Sequence, residues 1–242
     1  MINSVRNTVL SILNKNNYGY VSPSDFNLFA KQAQLEIFEG YFTDLNNTIN
    51  AENARMSGTD YVDMNKSIQE SIDIFSVTNV LTQQGGPISN TFSVPSLATT
   101  GDDYYLLNKV LCLNNGVYSA EASAVSHSRI TMLNNSNLTA PSAQYPAYVV
   151  QGNTLTVFPN TFDAAGDVQA QYIRYPFDPK WTYTILGNGE PVFTQTGDYQ
   201  DFELPIDDEP KLVYRILQMA GISIREADVY GFAKNEEAQS KQ

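Results

Sequence analysis

The stretch AYVVQGNTLTVFP, residues 147–159, holds two β-prone runs joined at Gly152-Asn153. A two-residue connection with glycine and asparagine suits a tight β-hairpin, because both residues tolerate the positive φ that such turns need. The stretch therefore predicts two antiparallel strands and places a sheet in the middle of the chain.

Working outward, VQAQYIRYPF alternates Val168, Ala170, Tyr172 and Arg174 against Gln169, Gln171, Ile173 and Tyr175. The runs TFSVP, YYLLNKVLCL, WTYTIL and DFELP add further short strands, separated by Gly, Pro, Asn and Asp clusters. Many short strands with such punctuation predict an antiparallel sandwich or barrel over residues 74–203. Both flanks carry helical spacing instead. Ile2, Val5, Val9 and Ile12 form one stripe. A second helix is predicted from Pro23 to Leu45 with two apolar faces, one of Phe26, Ala30, Ala33, Ile37 and Tyr41, the other of Leu28, Leu35, Phe38 and Phe42. A helix apolar on most sides packs between neighbours, in its own chain or in an adjacent subunit. A polar connection, NNTINAENARMSGTD, leads to a third pattern at Tyr61, Met64, Ile68, Ile72 and Phe75.

After the β region, LPIDDEPKLVYRILQMAG predicts a helix capped by Asp207 or Asp208, with Leu212, Ile216, Met219 and Ala220 inward and Gly221 as its stop. The expected class is α+β. Residues 1–73 form an N-terminal helical hairpin or bundle, 74–203 a β-domain, and 204–242 a C-terminal helix and tail that pack back on the helical region.

NKNNYGYVSPSDF has the outline of a calcium loop, with Gly19 at its centre. Such a loop needs about six to eight oxygen ligands and a closing bidentate Glu. Here Asp25 is the single carboxylate and Tyr18 stands at a ligand position. The better reading is a helix start, with Ser22 as cap, Pro23 in first position and Asp25 completing a box-like pattern.

Charged residues make up only 17% of the 242, while the net charge is −12. An acidic surface argues against a sequence-independent grip on nucleic-acid phosphates. It suits a surface past which DNA slides. No apolar run reaches membrane-span length, and Cys112 is the only cysteine, so no intrachain disulfide or thiolate zinc cage is expected. His127 is the only histidine, and VSHSRIT gives it no acid or nucleophile at a recognisable spacing. Asp207-Asp208-Glu209 reads as a dipole-favoured helix start, and Asp102-Asp103 as a solvated pair in a turn. No catalytic, cofactor-binding or metal-binding residue is assigned. The aromatics Tyr145, Tyr148, Tyr172, Tyr175, Tyr183 and Trp181 suit core and cross-strand packing better than stacking on a sugar or base.

The wording of four segments carries a resemblance: VRNTVLSILNKNNYGYVSPSDFNLFAKQAQLEIFEGYF (5–42), NNSNLTAPSAQYPAYVVQGNTLTVFPNTF (134–162), YIRYPFDPKWTYTI (172–185) and FELPIDDEPKLVYRILQMAGISIREADVYGFAKNEE (202–237). In that order they resemble head-to-tail connector, tail-ring or adaptor proteins of crAss-like short-tailed bacteriophages. The resemblance implies a virion protein made in the bacterial host cytoplasm, assembled as a homo-oligomeric, typically dodecameric ring. Its partners would be the portal protein and other tail proteins, with double-stranded DNA in transient passage and no membrane. It implies no catalytic residue and no cofactor. Phe38, Phe42, Tyr230 and Phe232 are the candidate inter-subunit contacts, the last two in a terminal segment expected to dock on a neighbour. The rival reading is a tail-associated carbohydrate- or receptor-binding β-protein. A tail-borne glycan hydrolase comes third, and would need two facing carboxylates roughly 5–10 Å apart.

Overall fold

The computed structural model describes residues 1–14, 21–55, 64–85, 90–114, 117–187, 189–224 and 234–235. The chain is α+β and divides into two compact units. One comprises residues 1–74 and 176–242, the other Phe75–Tyr175.

The first unit is mainly helical. Its helices are α1 (Ile2–Asn14), α2 (Pro23–Arg55) and α3 (Met64–Asp73), followed after the β unit by a small hairpin and by α5 (Glu209–Ile224). The α1 stripe of Ile2, Val5, Val9 and Leu13 is buried, Leu13 completing it in place of Ile12. The start of α2 follows the sequence closely. The Ser22 hydroxyl accepts the Asp25 N–H at 3.1 Å and donates to the Asp25 carboxylate at 2.7 Å. The first bond satisfies one of the backbone donors a helix end leaves orphaned.

Helix α2 buries its first face, Phe26, Ala30, Ala33, Ile37 and Tyr41; of the second, Phe38 is buried, Leu35 and Phe42 are half-buried and Leu28 is exposed. It also runs ten residues past Leu45, through most of the expected polar connection. The extension is polar and largely exposed, and α3 packs on α2. Helix α5 likewise continues through Gly221 rather than stopping there. Glycine costs a helix interior about 1 kcal/mol but does not end it, and Gly221 is buried.

Residues 176–203 belong with the helices, not with the β-domain expected to extend to 203. Side-chain amides of α1 and α2 explain why. The Asn27 side chain pairs with both backbone groups of Trp181, at 2.9 and 3.2 Å. Gln34, fully buried, donates to the Phe177 carbonyl at 2.7 Å and accepts the Glu203 N–H at 3.1 Å. Asn3 accepts the Trp181 indole N–H at 3.1 Å. The segment is thus held by polar side chains satisfied in pairs, as buried polar groups require. DFELP contributes no strand, only the bridge of neighbouring Gln200 to Lys180.

The second unit is a curled, mostly antiparallel sheet. Its strands are β1 (Ser76–Val80), β2 (Thr91–Ser93), β3 (Tyr104–Asn114), β4 (Val117–Ala124), β5 (Ala147–Gln151), β6 (Thr154–Phe158) and β7 (Val168–Arg174), with helix α4 (His127–Asn135) between β4 and β5. The order is β1-β7-β3-β4-β5-β6-β2, and only β4–β5 is parallel. The expected hairpin is β5–β6, with Gly152 at φ 59°. Beyond β1 the chain bonds to β2 at the far end of the sheet, through the Gln83–Phe92 bridge and flanking backbone bonds. The curl thereby encloses a core of Phe92, Val110, Cys112, Leu155, Val168 and Tyr172 with their neighbours. Along β7 the core takes the Val168, Ala170 and Tyr172 side of the alternation, and Ile173 of the other side is buried as well. On the outer side, Ile130 of α4 covers Ala147 and Val149. Strand β5 is therefore covered on both faces over its first three residues, which suits its unbroken apolar run.

Candidate functional site

The residues singled out in sequence take mostly structural positions. His127 begins α4 and is exposed. Asp103 is exposed, as expected, and accepts the Leu97 N–H at 2.8 Å, while Asp102 is half-buried and faces Arg174 at 3.9 Å, so the pair also ties its turn. Asp208 is buried at the start of α5, where it accepts the Tyr41 hydroxyl and the Lys211 ammonium, the latter at 2.7 Å. Burial, then this bond and charge of Asp208, push the Tyr41 phenol well above its ordinary pKa. Cys112 lies in the β-unit core, where burial and then the Asp167 charge push its thiol up to about 12. A thiol so held is not a nucleophile near neutral pH.

Among the described residues no group of His, Cys, Asp or Glu is placed to hold a metal ion. None of their helices is long and apolar enough to cross a membrane. Residues 15–20 of the calcium-like loop lie outside the described residues.

The aromatics divide. Tyr172 and Trp181 are buried, Trp181 at 2% exposure, and present no face to a ligand, while Tyr148, also buried, keeps only the edge that lines the groove described below. Trp181 sits beneath the Arg6 guanidinium, 3.7 Å from its ring centroid, and stacks on Tyr183 and Phe193. Tyr145 and Tyr175 in the β unit and Tyr183 in the helical unit keep exposed surface. Of the candidate inter-subunit contacts, Phe38 is fully buried in its own unit, edge-on to Phe42 at 5.3 Å. It has no surface left with which to meet a second subunit, since its apolar character is used within the chain. Phe42 is half-buried, and Tyr230 and Phe232 lie outside the described residues.

Two features stand out as unsatisfied apolar surface. The first is a groove in the β unit. Strand β4 pairs with β3 from Val110 onward, then joins β5 at Ser123–Ala124, and the chain turns away into α4. Among the described residues, Tyr104–Lys109 of β3 therefore have β7 on one side and no strand on the other. The opening left where β4 ends is a groove of about 460 Å³ lined by Tyr104–Leu107, Ala124–Ser126, Tyr148 and Val150. Burial, then the Glu121 charge, raise the Tyr148 phenol, which stays protonated near neutral pH. No lining residue carries a charge, and no nucleophile–base pair lines the groove. Its lining is uncharged, with three tyrosines and Ser126 among Leu, Val and Ala residues.

The second is the hairpin of the helical unit, β8 (Tyr183–Ile185) and β9 (Pro191–Phe193). Its base is fastened by Trp181 and by the Lys180–Gln200 bridge. Toward the turn it is bare, with Ile185 68% and Leu186 50% exposed. The register pairs Tyr183 with Phe193 and Ile185 with Pro191, which puts these four on one face. WTYTIL marked β8 in the sequence, but nothing in its pattern told covered apolar residues from bare ones. The groove was not legible at all, since it arises from where β4 changes partner. Against known proteins, no family model matches the chain and no curated protein matches it.

Proposed function

We propose that this chain is a structural virion protein that forms a ring in the portal–tail connector of a short-tailed bacteriophage. The ring continues the DNA channel and gives tail proteins a surface to dock on. The observation that carries the reading is the ordered resemblance of the four segments, which together run from Val5 to Glu237. The net charge of −12 supports it, because a channel wall that repels phosphates lets a duplex move where clustered Lys and Arg would hold it. The bare hairpin face and the open groove support it as well, since exposed apolar patches on a folded chain mark contact surfaces.

A carbohydrate-binding role calls for aromatic rings presented side by side. Trp181, Tyr148 and Tyr172 are instead consumed in the cores of their own units.

The test is the mass of the purified full chain in solution and its negative-stain images, alone and mixed with the portal protein. Rings, alone or seated on the portal, are the expected result. A protein that stays monomeric and does not bind the portal would overturn the reading.

A further inference from the structure

An open strand edge is a row of backbone N–H and C=O groups without partners, and Tyr104–Lys109 of β3 form one inside this sheet. Strand β7 bonds them on one side. On the other, β4 pairs with β3 only from Val110 onward, and no described strand takes its place. The edge is irregular between Tyr104 and Leu106 and again between Leu107 and Lys109, which disfavours a long, flat partner. Beside it lies the groove, with Leu106 and Val150 on its walls, 48% and 42% exposed. An unpaired edge next to an uncharged pocket is the arrangement by which a sheet takes on a further strand. The backbone bonds supply affinity, and the pocket receives alternate side chains.

We propose that the β unit binds a short extended segment of another protein, laid along Tyr104–Lys109 in the place that β4 vacates, with an apolar side chain set between Leu106 and Val150. The edge itself names the class of ligand. Its groups call for a partner with alternating donors and acceptors at the spacing of a strand, which a polypeptide has and a glycan or a nucleic-acid duplex has not. Charge narrows the class. At −12 this chain repels an acidic partner, a second copy included. Of the carboxylates nearby, Glu121 is met by Lys109 at 3.2 Å and Asp102 faces Arg174. Asp103 is exposed at the start of the edge, where its carboxylate accepts the Leu97 N–H. The segment expected is therefore apolar at alternate positions and free of acidic residues, with Lys or Arg at the end that meets Asp103. The inference concerns the β unit alone and stands or falls apart from the ring reading.

The test uses the full chain and a fluorescein-labelled heptapeptide of alternating threonine and valine with a lysine at each end, its binding followed by anisotropy. Saturable binding is expected, with hydrogen exchange slowed at the amides of Tyr104–Lys109. Two further peptides are N-methylated, one at its valines and one at its threonines. Only one of these sets faces the edge, so one of the two peptides should bind about tenfold more weakly or worse, the scale of a lost backbone bond. Glutamate in place of both lysines should weaken binding as well. Leu106→Asp and Val150→Asp, each checked by circular dichroism, should lose about tenfold or more, as loss of a central apolar contact does, and either serves if the other unfolds. Leu138→Asp, in the exposed turn beyond α4, should bind as the wild type does. No saturable binding at millimolar peptide would sink the proposal, and so would two methylated peptides that bind as the parent does. An equal loss in Leu138→Asp would place the contact elsewhere and overturn it too. Light scattering that shows self-pairing, lost in Leu106→Asp and Val150→Asp, would give the edge to a second copy and refute a foreign segment.

Discussion

Tyr41 and Asp208 show how much of this protein rests on single buried polar atoms. The Tyr41 hydroxyl donates to a carboxylate that is otherwise met by Lys211, across the contact between α2 and α5. Tyr41→Phe removes that donor while keeping the ring, and should cost about 2 kcal/mol, the scale of a hydrogen bond to a buried charge. Urea unfolding of the variant against the wild type checks this, and an unchanged midpoint would mean that Lys211 and solvent suffice for the carboxylate. Asp201 is a second such point. Burial raises its pKa, but the Ile2 N–H, the N-terminal ammonium and the Phe202 N–H together outweigh that and hold it below the ordinary 3.8. A group whose folded pKa is depressed contributes stability above its unfolded pKa and loses it as pH falls through the folded value. Asp201→Asn should therefore be less stable than the wild type at pH 6, and the difference should shrink below about pH 3.8, which unfolding midpoints across that range would reveal. The sequence showed Ser22 and Asp25 as a helix start because capping is local. It read Asp208 as a cap and not as a buried acceptor, because its partner lies 167 residues away.

At the level of elements, strands were legible where side chains alternate and turns are distinctive. The β5–β6 hairpin and β7 are of that kind. Strand β4 was not, since VYSAEASA is rich in Ala, Ser and Glu, which carry little β preference of their own. Pairing with β3 on one side and β5 on the other makes it a strand, and that is a property of the sheet. Helix α2 outran its predicted end for a related reason. Its polar extension offers no apolar stripe to read, although the Thr48 hydroxyl donates to the Asp44 carbonyl one turn back at 2.8 Å. Outside β8 and β9 the segment 176–203 follows no regular pattern, and Asn3, Asn27 and Gln34 position it. Replacing Gln34 by Met keeps the length of the side chain but strands the Phe177 carbonyl and the Glu203 N–H. The expected loss is about 2–4 kcal/mol, from two unpaired backbone groups. Chemical denaturation with an unchanged slope would attribute it to these bonds, whereas a loss under 1 kcal/mol would show that water replaces them.

The whole molecule is two units with one continuous in sequence and the other interrupted. The β unit enters at Phe75 and leaves at Tyr175 through neighbouring strands, Ser76 lying opposite Ile173. The core cluster among its described residues runs from Leu81 to Tyr172, all within the unit, so Phe75–Tyr175 expressed alone should unfold cooperatively in urea. A fragment with no cooperative transition would show that it needs the helices to fold. The helical unit has no such independence. Its fastening bonds join residues between 143 and 205 positions apart, from Gln34–Phe177 to Ser4–Glu209. On the ribosome the first helices therefore emerge long before the residues that complete them. Val5, Val9, Phe26 and Phe38, all buried in the finished protein, wait uncovered while the β unit is synthesised and folds. Synthesis thus runs ahead of assembly, and the partners that cover α1 and α2 are complete only when α5 arrives.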